Sequence, residues 1–170
     1  MFSAAVLCSA VLSIGMPNAE TACAHMPLLV EESKRWNVKP EVMIGLIHVE
    51  SRWTPDVTSR ANACGLTQII PKWTGGKATG GRKYTCKELY NPVVSIKAGT
   101  EIFSYWRRTY GRGNYTIGLC GYNAGYRCKP SKRTGRVEPH PKGMKYAKAV
   151  LRWSRKIKKA AQKVLSSQGG

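Results

Sequence analysis

One carboxylic acid in this chain sits in a pattern that suits proton transfer. The stretch Lys39-Pro40-Glu41-Val42-Met43-Ile44-Gly45-Leu46-Ile47-His48-Val49-Glu50-Ser51-Arg52-Trp53 reads as a helix with Pro40 at its first position and Glu41 near its positive end. Met43, Leu46, Ile47 and Glu50 recur at three-to-four-residue spacing, so Glu50 shares a face with residues that seek burial. Burial penalises the charged form of a carboxyl and raises its pKa, which is what a general acid working near neutral pH needs. A solvated Glu50 in a fraying last turn, or one tied to Arg52, fits the same helix, and the helix alone leaves the choice open.

Other groups offer hydrogen bonding rather than acid chemistry. Gln68, in Gly65-Leu66-Thr67-Gln68-Ile69-Ile70-Pro71, has an amide that both donates and accepts, suited either to a sugar substituent or to closing a backbone gap. Tyr122 and Asn123 stand together near a helix end and offer a ring and an amide. His25, His48 and His140 have no evident catalytic partner, with His48 expected on the face away from Glu50. The histidines are scattered and no C-x-x-C pair exists, which argues against a metal. The Gly75–Lys83 stretch looks like a phosphate loop only on the surface, because no strand precedes it and no Ser or Thr follows Lys77.

The elements that must hold these groups read as helices. Leu28 to Trp36 form a short amphipathic helix closed by Asn37, and Thr54-Pro55-Asp56 breaks the chain after the central helix. Asn91-Pro92 opens another helix, whose Ile96, Gly99, Ile102, Phe103 and Trp106 form a buried stripe, with Gly99 expected at a close helix crossing. Asn114 caps the next helix and Gly125 ends it. From Met144 onward, Tyr146, Val150, Trp153, Ile157, Ala160 and Val164 keep helical spacing, while Lys145, Lys148, Arg152, Arg155, Lys156, Lys159 and Lys163 lie mostly elsewhere.

Glu50-Ser51, Gly65-Leu66-Thr67-Gln68, Asn91-Pro92 with Ile96 and Gly99, Gly121-Tyr122-Asn123-Ala124-Gly125 and Tyr146 follow one another in an order that resembles the signature of SLT-type lytic transglycosylases, relatives of goose-type lysozyme. The resemblance covers Leu28 to Arg152 and implies a mainly α, lysozyme-like helical domain with a catalytic cleft. It implies Glu50 as the catalytic acid and base, and Ser51, Gln68, Tyr122, Asn123 and Tyr146 as substrate-binding residues. The implied substrate is the peptidoglycan glycan strand, cut between N-acetylmuramic acid and N-acetylglucosamine with formation of 1,6-anhydromuramic acid and no cofactor. Thr67 stands where the family usually has Met, Gly121 where it usually has Ala, and Met144-Lys145 where an acidic and hydroxylic pair often precedes the Tyr. A goose-type muramidase that hydrolyses the same bond, and a basic wall-binding module without catalysis, are the rival readings.

Composition sets the surroundings. The chain has 170 residues, 28 Lys and Arg against 9 Asp and Glu, and a formal net charge of +19, which calls for anionic surroundings. An anionic wall polymer or membrane surface met through the basic tail fits best, nucleic acid is disfavoured, and a secretion or conjugation apparatus is a further partner for a small exported enzyme. The uncharged run Phe2 to Met16, followed by Ala22-Cys23-Ala24, reads as a signal peptide cleaved after Ala19 or Ala24 and so as periplasmic or secreted export. Cleavage after Ala24 would leave Cys64, Cys86, Cys120 and Cys128; nearness in sequence suggests Cys64 with Cys86 and Cys120 with Cys128, among three possible pairings. The expected division is 1–24 signal, 25–152 catalytic domain and 153–170 basic helical tail. In the tail from Cys128, Glu138 is the single acid.

Overall fold

The computed structural model describes residues 1–128 and 140–168; Glu138 and the segment that begins at Lys129 lie outside the described residues. In chain order the helices are α1 (Ala4–Ser13), α2 (Ala19–Ala24), α3 (Met26–Arg35), α4 (Pro40–Ser51), α5 (Cys86–Leu89), α6 (Pro92–Thr109), α7 (Tyr115–Ala124) and α8 (Pro141–Gln168). Among the described residues the β structure amounts to two isolated bridges, Thr58 to Cys64 and Cys64 to Ile69. The mainly α class follows from helical spacing of apolar residues and from well-made starts. Asn91 Oδ1 accepts from the backbone amides of Val93 and Val94, and Asn114 Oδ1 accepts from that of Ile117.

The core is laid around α4. Val42, Met43, Ile44, Leu46 and Ile47 are buried all round the helix, not along one stripe, because α3 and α8 pack against different sides of it. His48 is buried too and lies against Trp153 at 4.1 Å between ring centroids. Burial, then Arg52, then Lys156 lower its pKa, so it rests neutral.

The close helix crossing expected at Gly99 occurs at Gly45 instead. A Cβ on Gly45 would lie 2.9 Å from the carbonyl oxygen of Val150 and 3.2 Å from the amide nitrogen of Ser154, both backbone atoms of α8. Gly99 gives way to a loop, since its Cβ would meet the Thr67 side chain at 2.5 Å. Gly45→Ala should therefore lower stability by about 1–3 kcal/mol, because backbone cannot yield as a side chain can. Melting followed by circular dichroism measures the loss; a Tm equal to that of the parent would show that the crossing relaxes freely.

The N-terminal residues are folded. In α1, Leu7, Ala10 and Val11 are fully buried, in large part against α8, and Cys8 is joined to Cys23 of α2. Asn18 Nδ2 donates to the carbonyl of Arg52, at the end of α4, over 2.8 Å. Cleavage after Ala24 would strip this cover from α8. The last helix is likewise continuous through position 152, where the domain was expected to end. Ile157, Ala160 and Ala161 beyond it are buried, while Gln162, Lys163 and Leu165 in the last turns are exposed.

Cys64 is bonded to Cys86 and Cys120 to Cys128. The first bridge sits in a small satellite cluster with Ile69, Tyr84, Leu89 and Ala98, beneath the loop that includes Gly75–Lys83.

Candidate active site

Glu50 occupies the last turn of α4, and the chain leaves the helix abruptly after it. Arg52 and Trp53 both take left-handed backbone conformations, with φ of +51° and +63°. That is a costly conformation for a bulky ring. Complete burial of Trp53 holds it there, and the turn leaves the Glu50 carboxyl at the end of a rigid helix.

Ser51 joins this helix end to the Gly65–Ile69 turn. Its hydroxyl lies 2.8 Å from the carbonyl of Leu66 and 3.2 Å from that of Ile47, and the residue is buried. Ser51 thus braces the turn against α4. Gln68 does similar work, since its Nε2 donates to the carbonyls of Val57 and Gly65, at 3.1 and 2.9 Å, leaving Oε1 as its unused acceptor among the described residues. Its φ is +50°. The gap-closing role open to this amide is the one its nitrogen performs.

The next residue inward is Thr67, fully buried, whose hydroxyl and amide meet Ser95 of α6 at 2.9 and 3.1 Å. Its own carbonyl accepts from the Tyr122 hydroxyl at 2.7 Å. Tyr146, on α8, donates from its hydroxyl to Glu50 Oε1, also at 2.7 Å. Tyr122 and Tyr146 are each held far above the usual phenol pKa, first by burial and then by the negative charge of Glu50, so both stay protonated donors. Asn123 is exposed, and its side chain has no hydrogen bond among the described residues.

Glu50 keeps partial exposure. The atoms packed around its carboxyl nevertheless strip enough hydration to raise the pKa to about 7, and the Tyr146 hydrogen bond opposes that rise only in part. Among the described residues, no neighbouring carboxylate contributes to the shift. Asp56, the other acid close in sequence, is exposed and its side chain has no hydrogen bond among the described residues. With Oε1 taken by Tyr146, Oε2 is the oxygen left to carry the proton.

Glu50, Tyr122 and Tyr146 are thus brought together from three helices, with Gln68 and Ser51 supporting the turn between them. The sequence pattern carried the central helix on to Trp53, whereas α4 ends at Ser51, and it gave no link between Thr67 and Ser95. A polar Ser95 beside Ile96 at the start of an apolar stripe was the available signal for the pair.

Comparisons with known proteins place the chain in a family. The profile of the family described as Transglycosylase SLT domain matches residues 27–140. Membrane-bound lytic murein transglycosylase C of Glaesserella parasuis is 36% identical over 97 residues, covering 52% of this chain and 26% of the relative. The protein of the same name in Actinobacillus pleuropneumoniae serotype 5b is 34% identical over 94 residues, with the same coverage. The chain therefore spans about a quarter of the length of these curated relatives. Among solved structures, the 70 kDa soluble lytic transglycosylase of Escherichia coli superposes with a TM-score of 0.65 at 20% identity, over 89% of this chain and 29% of that one. An inactive mutant of lytic transglycosylase Slt from Pseudomonas aeruginosa gives 0.64 at 19% identity, over 86% and 28%. These two share the fold. The profile spans well over half of the sequence and takes in Glu50, the Gly65–Gln68 turn and the Tyr122-Asn123 pair, and the chain belongs to the transglycosylase SLT domain family.

Proposed function

We propose that the chain is a peptidoglycan lytic transglycosylase that cleaves the β-1,4 bond between N-acetylmuramic acid and N-acetylglucosamine. One observation carries this reading: a single carboxyl, raised to about 7 by burial and oriented by a tyrosine hydroxyl, with no second carboxylate contributing beside it among the described residues. Near neutral pH such a group holds its proton in a large fraction of molecules and releases it readily.

Glu50 gives its proton to the glycosidic oxygen as the C1–O bond breaks. The resulting carboxylate takes the proton from the C6 hydroxyl of the muramic acid, whose oxygen bonds to C1 and closes the 1,6-anhydro ring. Proton and electron pairs balance with no water consumed. Hydrolysis normally uses a second carboxylate, as base or as nucleophile, whereas the C6 hydroxyl is already tethered near C1. Tyr146 fixes the acid's orientation, Tyr122 holds the Thr67 carbonyl, and Asn123 and the Gln68 acceptor are the groups left to meet sugar substituents. The names of the relatives, lytic murein transglycosylases, support the same substrate. Export to the wall and attachment to an anionic wall or membrane surface through the exposed Lys and Arg of α8 complete the proposal.

Product chemistry tests the reaction class. Purified peptidoglycan should release muropeptides ending in 1,6-anhydromuramic acid, one water lighter than hydrolysis products and inert to borohydride. Mass spectrometry before and after reduction separates the outcomes, and mainly reducible ends would transfer the chain to the hydrolysing, goose-type reading.

A further inference from the structure

At Gly45 the backbones of α4 and α8 approach closely, with Val150 and Ser154 supplying the facing atoms. One turn nearer to the start of α4, a cavity of about 260 Å³ lies between the two helices and Tyr115 of α7. It stands away from the chemistry. Glu41 lines it from the first turn of α4, whereas Glu50 lies in the last turn, roughly 13 Å further along the helix at 1.5 Å per residue.

Two of the groups lining the cavity are polar, deeply buried and unpartnered. Glu41 and Ser154 are each 8% exposed, and neither side chain has a hydrogen bond or an ion pair among the described residues. A serine inside a helix commonly turns its hydroxyl back to a carbonyl one turn earlier, as Ser51 does, but Ser154 does not. A carboxylate withdrawn from water is costly unless a cation or hydrogen-bond donors meet it. Both groups are therefore left for whatever enters the cavity.

The charges here are arranged by depth. Lys39, Arg155 and Lys158 also line the cavity and are exposed, so the cations stand at its rim while the acid lies inside. The Lys39 ammonium lies over the Tyr115 ring, 5.4 Å from its centroid. The Tyr115 hydroxyl accepts from the Lys39 backbone amide at 3.0 Å and keeps its own proton to donate. A simple anion would suit the rim and be repelled by Glu41; a simple amine would suit Glu41 and be repelled by the rim. A molecule with an ammonium at one end and carboxylates at the other matches both layers.

We propose that this cavity binds a small zwitterion of amino-acid or dipeptide size, whose ammonium enters to Glu41 and Ser154 while its carboxylates stay at the rim with Lys39, Arg155 and Lys158. The site is separate from Glu50 and does not depend on the peptidoglycan reading.

Glycylglutamate, with an ammonium at one end and two carboxylates at the other, is the probe. Calorimetric titration of the full chain at neutral pH and low salt should show one site with a Kd of about 1 mM or tighter. N-acetyl-glycylglutamate lacks the ammonium and glycylglutamine amide lacks the carboxylates, and each should bind about tenfold more weakly or worse. Glu41→Gln keeps the side-chain shape and should bring the free and acetylated dipeptides within about twofold of each other, while Arg155→Ala with Lys158→Ala should weaken glycylglutamate roughly three- to tenfold. The comparison of probes is made on the unaltered protein, so it stands even if a variant misfolds. Absence of binding at about 10 mM glycylglutamate overturns the site. Equal binding of the acetylated dipeptide or of inorganic phosphate overturns the zwitterion and leaves an anion-binding rim, and a preference for the free amine that survives in folded Glu41→Gln overturns the role of the buried acid.

Discussion

Glu50→Gln folds and loses wall-degrading activity by a factor on the order of 10⁴, because the amide keeps the shape of the carboxyl but can neither give nor take the proton. The same substitution should make the protein more stable at neutral and alkaline pH. Folding raises the Glu50 pKa from 4.5 to about 7. The folded state thus binds this proton more tightly than the unfolded chain, and the associated stability is fully present below pH 4.5 and lost as pH rises through about 7. Removing the group relieves a penalty of about 3 kcal/mol at most above that range, and changes little near pH 4. Clearing of a peptidoglycan suspension reports the activity, and urea unfolding at pH 4 and pH 8 reports the stability. A folded variant that cleared the suspension at the parental rate would remove Glu50 from the chemistry. A variant no more stable at pH 8 than its parent would mean that the carboxyl is better solvated than its surroundings indicate.

A chain beginning at His25 should melt far below the full-length protein, by about 10 °C or more. Leu7, Ala10 and Val11 are fully buried, and stripping such side chains from a packed core costs about 1–5 kcal/mol each, several degrees per kcal/mol in a domain of this size. The loss also cuts the Asn18 hydrogen bond that ties the N-terminal segment to the end of α4. The proposed export signal occupies these same residues, so N-terminal sequencing of exported protein is the companion measurement. If the shorter chain melts with the longer one and is the exported form, α1 and α2 act as a leader and contribute nothing to the finished core.

The central helix, the capped starts at Asn91 and Asn114 and the long basic helix were legible because each rests on local spacing and local chemistry. Glu50 was legible as a candidate acid, since a lone charge inside an apolar run is conspicuous. What the spacing could not show was distance across the fold. Gly45 and Gly99 are alike in sequence, yet one meets the backbone of α8 and the other a threonine side chain. Ser51 and Gln68 were expected at the sugar through the family resemblance, while their hydrogen bonds run chiefly to the backbone carbonyls of Ile47, Leu66, Val57 and Gly65. An apolar run with small residues reads equally as a leader or as a core helix, and only the packing of α1 on α8 distinguishes what the folded chain does with it.

Because α8 runs unbroken, it sets a fixed length between chemistry and charge. Tyr146, on Glu50, and the exposed Lys163 are separated by roughly 26 Å of helix at 1.5 Å per residue. A polyanion gripping the distal end would hold the acid at that reach, so the bond cut would lie on a strand beside the point of attachment, and the enzyme would keep its footing after each cleavage.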